Sequence, residues 1–165
     1  MIKFALLFCL LGASGYLGFQ FANTYKKKDD FLSDLLNFTK SIKNEISFMK
    51  TDLLSILNKY EYKSNFNDFL IKYQNLLKSK NQSQNEIIEI LEKISNFNDL
   101  EKNTISQMFF ELGNIGYIEQ IERLEYYINF YENLLKKSSE QSGKMMPFCK
   151  KMGFLIGFLV CIVLI

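Results

Sequence analysis

Residues 117–135 read YIEQIERLEYYINFYENLL, and the apolar side chains Ile118, Ile121, Leu124, Tyr127, Ile128, Tyr131, Leu134 and Leu135 recur at steps of three and four. That repeat belongs to a helix with one buried face, whereas a strand would alternate at every second residue. The pattern recurs upstream in Leu35, Leu36, Ile42, Ile46, Met49, Leu53 and Ile56, again in Phe66, Phe69, Leu70, Tyr73, Leu76 and Leu77, and again in Ile87, Ile88, Leu91 and Ile94. Polar breaks at residues 61–65, 78–84 (KSKNQSQ) and 95–99 separate these runs. Thr51-Asp52 can cap a helix starting at Leu53, so the first run is either one rod or two helices meeting near Lys50. Ser83 with Glu86 three residues on has the form of a capping box, and Gly113 closes a helix over residues 100–112. With a single proline, Pro147, no helix breaker interrupts the interior, and the predicted fold class is all-α.

Outward from this middle the chain becomes uncharged at both ends. Residues 4–22 (FALLFCLLGASGYLGFQFA) carry no charge and, as a helix, reach about 29 Å, close to the hydrocarbon thickness of a bilayer. Residues 152–165 (MGFLIGFLVCIVLI) are equally uncharged but reach only about 21 Å, so they span only where the membrane thins or Lys150 and Lys151 snorkel. The expected organisation is an N-terminal transmembrane helix over residues 1–22, a helical bundle over 23–151 and a short C-terminal transmembrane helix over 152–165. Lys26, Lys27 and Lys28 follow the first segment, and Lys144, Lys150 and Lys151 precede the last. Because basic residues flanking a span stay on the cytoplasmic side, both ends place the bundle in the cytoplasm. The alternative is a cleaved signal peptide, with Ala13, Ser14 and Gly15 near the cut, which would make the chain an exported, membrane-anchored interaction protein.

Composition excludes much chemistry. The 165 residues contain no His, which removes His-based triads, imidazole bases and His-containing metal sites. Cys9 and Cys161 lie inside the apolar segments and Cys149 at the edge of one, a placement that suits small buried hydrophobes and offers neither a disulfide framework nor a metal cluster. No phosphate-binding loop or nucleophile accompanies the carboxylate pairs, so no enzymatic role, cofactor or small-molecule substrate is expected. A net charge of +2 is too balanced for a nucleic-acid binder, and the sixteen Phe and nine Tyr sit mostly at core spacing rather than as a stacking platform for bases.

Two sets of residues remain as candidate contact sites. Gly153 and Gly157 form a G-x-x-x-G step, and Ser14 with Gly18 repeats that spacing in the first segment, which lets helix backbones approach closely, within the chain or with partner helices. Residues 86–132 hold ten acids against Lys93, Lys102 and Arg123, and Glu119, Glu122 and Glu125 fall close together on one helix. They read either as a solvated face or as a docking surface for a basic partner.

The layout resembles the stage III sporulation protein AB family of endospore-forming bacteria over nearly its whole length. The resemblance is carried by the first apolar segment and its basic run, and by Ile42-x-x-Glu45-Ile46-x-Phe48-x-x-Thr51-x-Leu53. Leu112-Gly113 with Gln120 beyond, and Met152-Gly153-x-x-x-Gly157 leading into Val160 and the end, complete it. Asp52 stands where the family has Pro, and Gly116 where an acid is expected. The resemblance implies a component of a channel-like, secretion-related complex joining mother cell and forespore. Its place there is like that of the inner-membrane platform protein of type II secretion, in the mother-cell membrane. The implied partners are a stage III sporulation protein AA-like ATPase and other channel components, and the final segment is implied to be a second membrane helix.

Overall fold

A computed structural model describes residues 2–49, 57, 62, 64–79, 83–94, 96–112 and 114–164. Among these the chain is helical and shows no strand: α1 runs Ile2–Met49, α2 Asn65–Ser79, α3 Gln84–Ile94, α4 Asp99–Glu111 and α5 Tyr117–Leu164. The all-α expectation agrees with this. The proposed helix boundary near Lys50, its Thr51-Asp52 cap, residues 61 and 63 of the 61–65 break and the Gly113 cap lie outside the described residues.

Local sequence explains the helix starts. Glu86 N–H donates to Ser83 Oγ at 3.3 Å and Ser83 N–H to Glu86 Oε2 at 3.2 Å, the reciprocal box expected at the start of α3. A second box opens α4: Glu101 N–H donates to Asn98 Oδ1 at 2.8 Å and Asn98 N–H to Glu101 Oε2 at 2.9 Å. The N-x-x-E spacing of Asn98 and Glu101 signals this start one residue earlier than the Leu100 start expected from apolar spacing. α1 passes without a break through the KKKDD stretch, which contains neither Gly nor Pro and puts Lys26 within an i,i+4 step of Asp30. α5 continues through Pro147, whose ring would meet the carbonyl of residue 143; a glycine occupies that position, and no neighbouring atom lies within 4 Å of the place a Cβ would take there.

The chain divides into two compact units. The central unit comprises Asp30–Lys136, and the terminal unit comprises Met1–Asp29 with Lys137–Ile165. The terminal unit therefore contains residues 137–151 as well as the apolar ends.

The central unit is held by an aromatic core. Phe31 and Phe38 of α1, Phe66, Phe69 and Tyr73 of α2 and Phe109 of α4 are all fully buried. Phe109 joins α4 to α1 and α2: its ring lies 4.7 Å from Phe69 and 4.8 Å from Tyr73, both edge-on, and 5.7 Å from Phe38, stacked. Such pairs add about 0.5–1.5 kcal/mol each beyond area burial. The Tyr73 hydroxyl is satisfied by donating to Phe109 O at 2.7 Å. Ile87 and Leu91 of α3 and Leu124, Tyr127 and Tyr131 of α5 close the core, with α3 packed on α4 and α2 on α3.

Ile118 departs from the sequence reading. It keeps core spacing yet is 73% exposed in the first turn of α5, which begins at Tyr117.

Candidate functional site

In the terminal unit the small residues of α1 and α5 lie against one another. Leu7 O accepts from Cys161 Sγ at 3.6 Å, Ser14 Oγ donates to Gly153 O, and Asp29 Oδ1 accepts from Ser138 Oγ at 2.5 Å. Ascending positions on α1 meet descending positions on α5, so the pair is antiparallel.

The crossing leaves no room for larger side chains. A Cβ on Gly18 would stand 2.7 Å from Cys149 O and 2.9 Å from Gly153 Cα; one on Gly153 would stand 2.8 Å from Gly18 Cα and 2.9 Å from Ser14 O; one on Gly157 would stand 2.9 Å from Ser14 Cβ. Carbons do not approach that closely, so these positions accept only glycine without a shift of the helices. Ser14, Gly18, Gly153 and Gly157 thus meet within the chain, and buried Ala22 extends the Ser14–Gly18 row by one more step of four.

The other sides of this pair are uncovered. Leu155, Phe158, Leu159, Ile162 and Val163 are all more than half exposed, as are Tyr16, Leu17, Phe19 and Phe21 on α1. α5 is long and apolar enough to cross a membrane, the one helix among the described residues that meets that measure.

In the central unit Glu119, Glu122 and Glu125 all lie on the exposed side of α5 but face different neighbours. Glu119 pairs with Arg123 Nη2 at 3.5 Å, and Arg123 also reaches Glu111 Oε1 at 3.6 Å. Glu125 pairs with Lys43 Nζ of α1 at 3.3 Å, as Glu132 does with Lys40 at 2.6 Å. Lys102 holds Glu92 at 2.9 Å and Asp99 at 3.0 Å, and those two hydrogen bonds raise its ammonium pKa above the ordinary value. Glu122 makes no ion pair among the described residues. It stands between the exposed side chains of Ile118 and Tyr126, one turn to each side. On the exposed side of α5, Glu119, Glu125 and Glu132 are therefore matched by internal cations, leaving Glu122 with its two apolar neighbours as the unmatched part of that face. Lys40 and Lys43 could not be identified from sequence as counter-charges, since they are remote from Glu125 and Glu132 along the chain.

Beneath this face Glu111 Oε2 accepts from the Tyr127 hydroxyl at 2.9 Å, and Gln107 Nε2 donates to Glu111 Oε1 at 2.9 Å. Burial first, and then the Glu111 carboxylate, push the Tyr127 hydroxyl well above its ordinary pKa. Gln120, buried beside Leu124, donates its backbone N–H to Gly116 O at 2.8 Å in the first turn of α5.

Among the described residues the chain is helical without strands, its two ends pair through glycines, and α5 is long and apolar enough to cross a membrane, features consistent with a membrane association. The sequence model of the stage III sporulation protein AB family matches residues 3–165. The chain belongs to that family, and its role is sporulation-related. No curated protein and no solved structure matched the chain.

Proposed function

We propose that the protein is a non-enzymatic membrane component of a secretion-like complex between mother cell and forespore. In this reading residues 1–22 and 152–165 both span the mother-cell membrane, the charged middle faces the cytoplasm, and the exposed side of α5 docks a stage III sporulation protein AA-like ATPase. The ATPase supplies conformational work and the helical domain receives it.

The observation that carries the reading is the apolar surface left outside the glycine crossing. Six large side chains over residues 155–163 more than half exposed on one helix end exceed what a soluble surface tolerates, whereas in a bilayer they sit in their preferred surroundings. Small residues at the helix contact are the usual means of pairing helices in lipid, where apolar burial between them gains nothing. Family membership supports the sporulation setting.

Docking is tested by changing Glu119, Glu122 and Glu125 to Gln and measuring recruitment of the ATPase to membranes carrying the full-length protein. Glu119 and Glu125 already hold internal cations, so most of the loss is expected from Glu122→Gln alone. A fall of about tenfold fits removal of a charge pair at an interface. Unchanged recruitment by the triple variant, with helical content intact, would reject this face as the dock.

A further inference from the structure

Side-chain charge is segregated between the two units. The terminal unit holds eight lysines and two acids, Asp29 and Glu140, a net of six positive charges; the central unit holds twelve basic and sixteen acidic residues, a net of four negative. In the central unit four of the eight described basic residues, Lys40, Lys43, Lys102 and Arg123, have acidic partners. In the terminal unit Lys26, Lys27, Lys144, Lys150 and Lys151 are exposed and enter no ion pair among the described residues.

Their placement on α5 is ordered. Lys144, Phe148 and Lys151 are spaced four and three residues apart and so share one outward face, with the two ammonium-bearing positions about 10 Å apart along the axis. Phe148 is 54% exposed between them. Leu155, one turn beyond Lys151, continues the same face into the apolar segment. Lys150 leans the other way and stands 5.4 Å from the centre of the Phe19 ring of α1. A phenyl ring held out between unpaired lysines, directly against an apolar span, matches the depth at which phosphate headgroups meet acyl chains.

We propose that Lys144, Phe148, Lys150 and Lys151, with Lys26 and Lys27 of α1, form a collar that binds the phosphate headgroups of anionic lipids. The protein thereby gathers such lipids around the short span at residues 152–165. The inference rests on the membrane reading of that segment given above. An acidic protein partner would also suit the lysines, but the exposed phenyl ring and the unbroken run into Leu155 favour a lipid surface.

The chain contains no Trp, so Phe148→Trp and Phe158→Trp each create a single fluorescent reporter, one in the collar and one in the apolar segment. Each full-length variant is reconstituted into phosphatidylcholine vesicles carrying brominated phosphatidylcholine or brominated phosphatidylglycerol. The reporter at 158 is expected to be quenched equally by both. The reporter at 148 is expected to favour the anionic lipid at least about fivefold at low salt, the contribution of a single lysine near a charged surface. That preference should fall toward one when Lys144, Lys150 and Lys151 become Gln, and should weaken in high salt. Equal quenching at 148 by both lipids, or a preference unchanged in the triple variant, overturns the headgroup inference alone. Quenching at 158 but by neither lipid at 148 means that protein covers the collar, which also overturns it. No quenching at 158 rejects the membrane reading itself, and the collar with it.

Discussion

Tyr131 is wholly buried, and its hydroxyl donates to Met108 Sδ at 3.5 Å, the same sulfur that Thr39 Oγ1 reaches at 3.6 Å. Burial, reinforced by the nearby Tyr127 and Glu111, pushes its pKa well above the ordinary 10.0. The unfolded chain therefore releases this proton first, so the stability it confers is complete below about pH 10 and is lost as the pH rises further. Tyr131→Phe removes one hydrogen bond and is expected to cost about 0.5–1.5 kcal/mol near neutral pH. The deficit should shrink or reverse above about pH 10, where only the parent has this hydroxyl to ionise. Urea midpoints of the full-length proteins in detergent, from about pH 8 to about pH 11, check this; a deficit of constant size across that range contradicts it. Individual residues of this kind were only partly legible. Tyr131 falls at core spacing in the sequence, but so does Ile118, which is exposed: periodicity locates a face without revealing where its covering ends.

At the scale of elements, the helix pair of the terminal unit depends on four positions. Gly153→Leu places a branched side chain where Gly18 Cα and Ser14 O stand 2.8 and 2.9 Å from the site of a Cβ, so the helices must part. Overpacking of this kind costs about 1–3 kcal/mol. With the three native cysteines changed to alanine, Ser14→Cys and Gly157→Cys are expected to form a disulfide within one chain on oxidation, after the helices part by the fraction of an ångström that takes Ser14 Cβ and the Cβ site of Gly157 from 2.9 Å to the about 3.5 Å at which a disulfide closes. Adding Gly153→Leu should suppress that product. Cross-links only between chains would show instead that the small residues serve partner helices. The four-residue spacing made these positions readable from sequence. The choice between pairing within the chain and pairing with partners was not, because the same spacing serves both. Helix starts were readable wherever a cap has a short-range signature, as at Ser83 and Asn98.

For the molecule as a whole, the membrane reading requires that the central unit and the flanking lysines lie on the cytoplasmic side. Lys78 begins the KSKNQSQ stretch and is exposed at the end of α2. Lys78→Cys, in a background without the native cysteines, is expected to resist an impermeant thiol reagent in intact cells and to react once the membrane is opened. Labelling in intact cells would favour the exported alternative with a cleaved leader. The charge segregation between the units is a whole-chain property that +2 conceals, since six positive and four negative charges nearly cancel.

The all-helical class, the uncharged ends and the small-residue steps were determined by the sequence alone, because each rests on spacing within a few residues or on the absence of charge over a run. Family membership was legible for the same reason, its motifs being local. Only the tertiary structure decided that Ser14 and Gly18 meet Gly153 and Gly157, that Phe109 packs on Phe38, Phe69 and Tyr73, and that Lys40, Lys43 and Arg123 match Glu132, Glu125 and Glu119 on α5, leaving Glu122 unmatched. Most of these contacts join residues far apart along the chain. Local pattern records which residues can make them, and the packing of the helices selects the partners.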